Sequence, residues 1–457
     1  MTFPRSSGLA NNAAINPDGG ITITPQGGML VGGRSVAMFS DDGSSLVDGD
    51  GNILYPNQPL AAQCVRSGRS AVGWSLTNNS GATATMAVTS SGSPFGWPAL
   101  KVTIPNDTGA VDVIADSLSL LAFTAGRGNL AVHVYVEDEL GIKQIRPYVG
   151  NDTSLTRNMD FTYQLSNSDK QRANGHHIIS INPDNAAANT LLTTDAVQRV
   201  RLRINGQPAG GVIWIEGIYV PQPVDPWMVV TVDDSDLSMY TRFHAELSSR
   251  GLKGTFAVDW DAVGTNAALY VSQAQLVEMH GYGHDIASHN RTNTAYPDEL
   301  PPTAQPNDAA RLTYCTDYAY TREQLRSLSM TRALGYHPFV QGAHDGALVD
   351  AMKAHGSTVM RSVGAGSVEP FRAHLQSVFR QRQLGSAFDI AAARAWIDSA
   401  VTRSQDVMLM GHILASTASS TVTWAQTDFA SLLDYAAAQG VRVGSVSQWA
   451  SARGISV

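Results

Sequence analysis

The stretch WMVVTVDDSDLSMYTRFHAELSSRGLKGTFAV, residues 227–258, decides the fold of the second half of the chain. Its first run, MVVTV, is too short and too β-branched for a helix and too uniformly apolar for a strand with one wet face. It reads as a buried parallel strand. The segment MYTRFHAELSSRG that follows has helical spacing and stops at a glycine, and GTFAV is a second apolar run. Strand, helix, strand in this order is the α/β pattern. It continues downstream. SQAQLVEMHG (272–281), TREQLRSLSMTRALG (321–335), DGALVDAMKAHG (345–356), IAAARAWIDSAVTR (390–403) and DFASLLDYAAAQG (428–440) read as helices, and VMLMG (407–411) and VRVGSV (441–446) as strands. About 230 residues of such alternation predict a deformed (β/α) barrel with up to eight strands.

Upstream the texture is different. Between residues 61 and 221 the runs ATMAVTSS, ALKVTIP, NLAVHVYVED, RVRLRI and GVIWIEGIYV place apolar side chains at every second position, with Gly, Asn and Asp between them. That period predicts an all-β sandwich of jelly-roll type. PQPVDPW (221–227) carries three prolines and reads as a linker. Residues 1–60, rich in Gly, Asn, Asp and Ser with apolar snatches at 21–23 and 29–31, predict brief strands and turns, an extended or attachment segment more than a domain. The expected division is therefore 1–60, 61–221 and 222–457.

Composition removes several functions. The 457 residues carry 31 Lys plus Arg against 39 Asp plus Glu, a net charge of −8, so the positive field that collects nucleic acid is missing. No apolar run reaches the roughly 18–20 residues of a membrane span, and membrane insertion is not expected. The opening residues have neither a basic nor an apolar signal region. Cys64 and Cys315 are the only cysteines, too few for a disulfide framework or a thiolate metal cage, and buried free thiols are expected.

In a parallel α/β barrel, chemistry gathers at the C-terminal ends of the strands, so polar residues directly after apolar runs are the candidates. Three runs qualify. MVVTV delivers Asp233 and Asp234, the run through Ile286 delivers His289, and VMLMG delivers His412. A carboxylate and an imidazole suit a divalent cation. The second carboxylate and the second imidazole remain as a base and an acid.

These motifs resemble those of the polysaccharide deacetylases with a NodB-homology domain, carbohydrate esterase family four, over residues 226–457. TVDDS (231–235) is similar to the first family motif, GHDIASHNRTN (283–293) to the second, FVQGAHDG (339–346) to the third and VMLMGHIL (407–414) to the last. The resemblance implies Asp233 as base, Asp234 and His289 as metal ligands and a protonated His412 as acid. It also implies a divalent metal, Zn2+ first, with Co2+, Mn2+, Ni2+ or Fe2+ as alternatives, and an acetylated polysaccharide as substrate. Two positions depart from the family pattern. Asn293 stands where relatives have a second metal histidine, a weaker ligand. Val340 stands at a proline position of the third motif, which leaves the Gln341 N–H as the aligned oxyanion donor. His344 is a substitute ligand or a rim residue. Arg361 is either a structural ion pair or a substrate contact. His284 is expected to pack, and His176 and His177 to face water.

A sandwich ahead of such a barrel resembles a carbohydrate-binding module, with Trp74, Trp97 and Trp214 as the aromatics that either stack on sugars or belong to the core. The N-terminal segment, lacking a visible signal, fits a bacteriophage tail spike or fibre, commonly a homotrimer, acting on capsule or O-antigen outside the cell. The alternatives are a bacterial enzyme whose export signal lies outside this sequence, and a glycan-binding protein whose barrel has lost activity.

Overall fold

The computed structural model describes residues 62–79, 81–105, 109–118, 130–137, 142–161, 163–164, 175–181, 188–191, 195–206, 210–221, 223–296, 308–363, 368 and 378–457. It also describes four short strands before residue 62, Ile21–Ile23, Met29–Val31, Arg34–Ala37 and Val47–Asp48, joined in one sheet. The rest of the proposed attachment segment lies outside the described residues.

From Ala62 to Pro221 the strands form two sheets, and every pairing is antiparallel. One sheet runs Gly175–Ile181, Leu130–Val136, Gly211–Pro221, Ala99–Ile104, Thr85–Thr89, with Ala62–Ser67 also paired to Gly211–Pro221. The other is centred on Ile142–Gly150 and Arg199–Gly206. The alternating residues, such as Val132, Val134, Val136, Leu202, Ile204 and Ile213, fill one core between the sheets. Trp74 and Trp214 are buried, and only Trp97 of the three tryptophans is partly open, beneath the Arg69 guanidinium. The expectation that His176 and His177 face water is corrected. His177 is buried, and His176 Nδ1 meets the ring of buried His133 at 3.1 Å.

Among the described residues the second half is built on one sheet of eight strands: β1 (Trp227–Val232), β2 (Thr255–Val258), β3 (Asp285–Ser288), β4 (Tyr336–Pro338), β5 (Val359–Val363), β6 (Val378–Gln383), β7 (Val407–Gly411) and β8 (Arg442–Gly444). All their pairings are parallel, in the order β3-β2-β1-β7-β6-β5-β4 with β8 beside β1. β1 is central because both of its faces are apolar. Met228, Val230 and Val232 enter one core cluster and Val229 another.

Helices fill the connections, held by local chemistry. Ser272 and Ser445 form capping boxes with Gln275 and Gln448, and Asp389 accepts the Ala392 N–H. One helix differs from the sequence expectation at 321–335. It spans Asp308–Ser327, because Tyr314, Cys315, Tyr318, Thr321 and Leu325 make its buried face. It stops where Ser329 takes φ 61°, and the apolar residues Met330 and Leu334 pack as a loop.

The ladder does not close into a complete barrel among the described residues: β3 and β4 are its two ends. Two imidazoles cross this seam. His337 Nδ1–H, from β4, donates to Ser288 O at 3.0 Å, and His289 Nδ1–H, just after β3, donates to Pro338 O at 3.1 Å. His337 Nε2 accepts the Tyr314 hydroxyl at 3.0 Å, and burial holds this ring well below the usual imidazole range, so it stays neutral and can accept.

His337→Leu is expected to destabilise the protein by about 2–4 kcal/mol, since it strands a buried carbonyl and a buried hydroxyl together. Urea unfolding measures this. A change below about 0.5 kcal/mol, the usual scatter of surface substitutions, would show that the seam does not depend on the ring.

Candidate active site

The strand ends deliver their polar residues to one rim. Asp233 and Asp234 follow β1, Asp259 follows β2, His289 follows β3 and His412 follows β7, and these four strands are consecutive in the sheet. The backbone there is tightly bent. Asp234 (φ 77°), Ser235 (φ 60°), Asn290 (φ 88°) and Gln341 (φ 54°) all take left-handed conformations that non-glycine residues avoid, a pattern that gathers at functional sites. Gly411 is required just before His412, because a Cβ there would come within 2.5 Å of the Phe243 ring.

The adjacent carboxylates have separate partners. Asp233 is 1% exposed and forms a buried ion pair through Oδ2 with Arg361 Nη2, while its Oδ1 has no hydrogen-bond partner. Of the two readings of Arg361, which is also 1% exposed, the structure shows the ion pair: it is the arginine that holds Asp233. Burial weakens its charge, but Asp233 and the Tyr336 hydroxyl hold its pKa above the ordinary arginine value.

Asp234 faces the opening. Its Oδ1 lies 3.2 Å from His289 Nε2 and 3.3 Å from Asn293 Nδ2, and its Oδ2 lies 3.7 Å from His412 Nε2. Burial would raise its pKa, but the bond to His289 and the charges of His289, His412 and Arg361 bring it below the usual carboxylate value. For His289, burial lowers the pKa, yet Asp233, Asp234 and Asp259 outweigh it and push the ring up to about 9. His412 behaves otherwise. Burial dominates the attraction of Asp233 and Asp234, so its pKa is lowered, which corrects the expectation that the carboxylates keep it protonated.

The spacing of the donors suits a divalent cation. Two atoms bound to one such ion at about 2.0–2.1 Å are roughly 3.0–3.4 Å apart, and the separations from Asp234 Oδ1 to His289 Nε2 and to the Asn293 amide, 3.2 and 3.3 Å, match. The Nδ1–H bond to Pro338 O leaves Nε2 of His289 as the ligand atom. An amide presents either oxygen or nitrogen here, and a cation selects the oxygen. The set fits as one carboxylate, one imidazole and one amide. Among the described residues no group of three or more His, Cys, Asp or Glu side chains could hold a metal ion as they stand.

The remaining candidates fall at the margin or in the packing. Gln341 is exposed at the tip of the turn Val340–Gly342. In this turn the Val340, Gly342 and Ala343 N–H groups are bonded, to Tyr314 Oη, Phe339 O and Val340 O. His344 is 4% exposed, stacked on Phe339 and bonded through Nδ1–H to Gly342 O at 2.9 Å, so it is packing and not a substitute ligand. His284 is fully buried against His244 and the Gly254 N–H.

Sequence reading passed over Asp259. It follows the apolar run GTFAV as Asp233 follows MVVTV, and the same strand-end rule would have selected it. It is buried, Oδ1 has no partner, and burial together with Asp234 and Asp233 pushes its carboxyl up to about 7 against the opposing pull of His289.

No family model matches the chain, and no curated protein matches it. Solved structures similar to parts of it include a family 11 carbohydrate-binding module from Clostridium thermocellum in complex with a β-1,3-1,4-mixed-linked tetrasaccharide. The identity is 10%, covering 35% of this chain and 94% of that one, with a TM-score of 0.27. The deacetylase domain of BpsB from Bordetella bronchiseptica aligns at 19% identity over 36% of this chain and 72% of its own, with a TM-score of 0.30. The chitin deacetylase from the fungal pathogen Colletotrichum lindemuthianum aligns at 16% identity over 50% of this chain and 88% of its own, with a TM-score of 0.32. At these scores the chemistry has to come from the site's own geometry.

Arg361→Ala is expected to cost about 3–5 kcal/mol of stability by leaving Asp233 charged and buried. Asp233→Asn on top of it should return part of that loss, as a double-mutant cycle by thermal or urea unfolding reads. Strictly additive effects would contradict the pairing.

Proposed function

We propose that this chain is a cation-dependent hydrolase that removes N- or O-linked acetyl groups from a polysaccharide, its second half a deformed (β/α) barrel of the deacetylase kind and its sandwich a carbohydrate-binding-like partner. The observation that carries this is the division of labour between neighbours: Asp233 held by Arg361 with one oxygen free, Asp234 facing His289, Asn293 and His412. The order of the four sequence motifs supports it.

A divalent cation bound by Asp234, His289 and Asn293, zinc first among the choices, would supply Lewis acidity toward an acetyl carbonyl and a water molecule. The chain's own residues do the rest. Arg361 fixes Oδ2 of Asp233, so Oδ1 is the atom that takes the proton of the attacking water. The Gln341 N–H, in a turn braced by Tyr314, is the donor for the oxygen that becomes negative. His412, its ring neutral at rest because burial lowers its pKa, takes up the proton that leaves the attacking water and passes it to the departing amine or alkoxide. No serine or cysteine nucleophile is needed.

A second reading, a deacetylase-like glycan-binding protein, is favoured by one observation, the neutral Asn293 in a set without a third charged ligand. The wider setting proposed is a bacteriophage tail acting on capsule or O-antigen as a homotrimer. It is supported only by the turn-rich composition of the opening segment, and light scattering that returns the mass of one chain would remove the trimer. No helix among the described residues is long and apolar enough to cross a membrane.

Acetate release from a panel of acetylated capsular polysaccharides tests the reading. The cation-loaded protein should release acetate, a chelator should stop it, Asp234→Ala should abolish it, and His412→Ala should slow it about 10²–10⁴-fold. Unchanged release from Asp234→Ala would contradict the assignment.

Cation affinity should also depend on pH. The folded His289 ring holds its proton up to about pH 9, above the 6.5 of an exposed imidazole, and a cation must displace that proton. Affinity is therefore expected to rise with pH below about 9, by up to roughly tenfold per unit. Calorimetry at pH 6, 7 and 8 in buffers of different ionisation heat checks this, and an affinity independent of pH would contradict it.

A further inference from the structure

Asp259 occupies the rim between the two groups that the proposed cation joins. β2, which it follows, stands between β1, ending at Asp233 and Asp234, and β3, ending at His289. The residue is 4% exposed, and its Oδ1 has no hydrogen-bond partner. Its backbone is fixed from both sides by one hydroxyl: the Asp259 N–H donates to Ser235 Oγ at 2.9 Å, and Ser235 Oγ–H donates to Asp259 O at 3.2 Å. Ser235 is the residue after Asp234, so this clamp ties the two strand ends together and keeps Asp259 in the rim. Its carboxylate interacts electrostatically with His289, Asp234 and Asp233.

A buried carboxylate with an unsatisfied oxygen beside two other acids is costly unless a counter-charge is near. Asp233 is already neutralised by Arg361. Once a cation has displaced the His289 proton, Asp234 and Asp259 are the two carboxylates left without a counter-charge, and their sum, −2, is the charge that a divalent cation balances. With Asp234 alone the balance is one charge short, and Asn293 contributes none.

We infer that Asp259 is the third charged ligand of the cation site, its carboxylate supplying the anionic donor that the amide of Asn293 does not. This rests on the reading that Asp234 and His289 share a cation. As they stand the three side chains do not form a group that could hold the ion, so its binding requires the Asp259 side chain, whose Oδ1 no donor restrains, to turn toward the other two while the Ser235 clamp holds the backbone. Carboxylate oxygen beside imidazole nitrogen is a ligand set that zinc and cobalt accept.

The test is equilibrium titration of the metal-stripped full chain with Co2+, by calorimetry and by the visible absorption of bound cobalt, on the wild type and on Asp234→Asn, Asp259→Asn and Asp259→Asn with Asn293→His. The wild type should bind one Co2+ and Asp234→Asn should lose it. Asp259→Asn should bind at least tenfold more weakly with an altered cobalt spectrum, while the stripped variant melts no lower than the wild type, since an unpartnered buried charge has been removed. Adding Asn293→His should recover affinity. If Asp259→Asn binds Co2+ as the wild type does while Asp234→Asn does not, the assignment of Asp259 is overturned and the cation site stands. If the wild type binds no Co2+, both readings fall. Should Asp259→Asn fail to fold, Asp259→Ser is measured in its place and read in the same way.

Discussion

The ion pair between Arg361 and Asp233 gives two adjacent aspartates different chemistry. Without it, Asp233 and Asp234 would be neighbouring like charges in a low-dielectric rim, with Asp233 buried and uncompensated. With the guanidinium on Asp233 Oδ2, that carboxylate is compensated inside the protein, and Asp234 is left to face His289, Asn293 and His412. The pair spans the sheet. Asp233 follows β1 and Arg361 lies on β5, with β7 and β6 between them in the strand order. It is therefore available only once the long-range pairing of the parallel sheet has formed.

Around this pair the rim is built with residues that would be unfavourable elsewhere. Oδ1 of Asp233, Oδ1 of Asp259, Oδ1 of Asn290 and Nδ1 of His412 are buried without partners, at the ends of β1, β2, β3 and β7. Left-handed backbone at Asp234, Ser235, Asn290 and Gln341 adds strain of about 1–3 kcal/mol for each residue. The apolar strands beneath them and the two imidazoles across the β3–β4 seam offset that cost. The same seam sets the ring orientation of His289, so a feature of the fold and a feature of the site are one hydrogen bond.

Much of this was legible in the sequence, for a physical reason. An apolar run in a parallel sheet cannot end on a charged residue by accident of burial, so MVVTV followed by two aspartates and VMLMG followed by a histidine already place Asp233, Asp234 and His412 at a rim. The period-2 runs between residues 61 and 221 likewise give the antiparallel sheets. What was not legible depends on distance in space. Arg361 and its partner are separated by 128 residues, and no local pattern connects them. Whether His412 is charged depends on the balance between burial and two carboxylates, which spacing does not express. The helix Asp308–Ser327 was misplaced because its buried face is made of tyrosines and a cysteine, while the more apolar residues just beyond it pack as a loop.

The central claim, a single cation shared by one carboxylate and one imidazole, is tested most directly by anomalous diffraction from crystals of the full chain grown with zinc and recorded on both sides of the zinc absorption edge. The account predicts one anomalous peak at bonding distance from the Asp234 carboxylate and from His289 Nε2, with the His289 Nδ1 bond to Pro338 O intact. Zinc found only at other places, with His289 still bonded directly to Asp234, would contradict it.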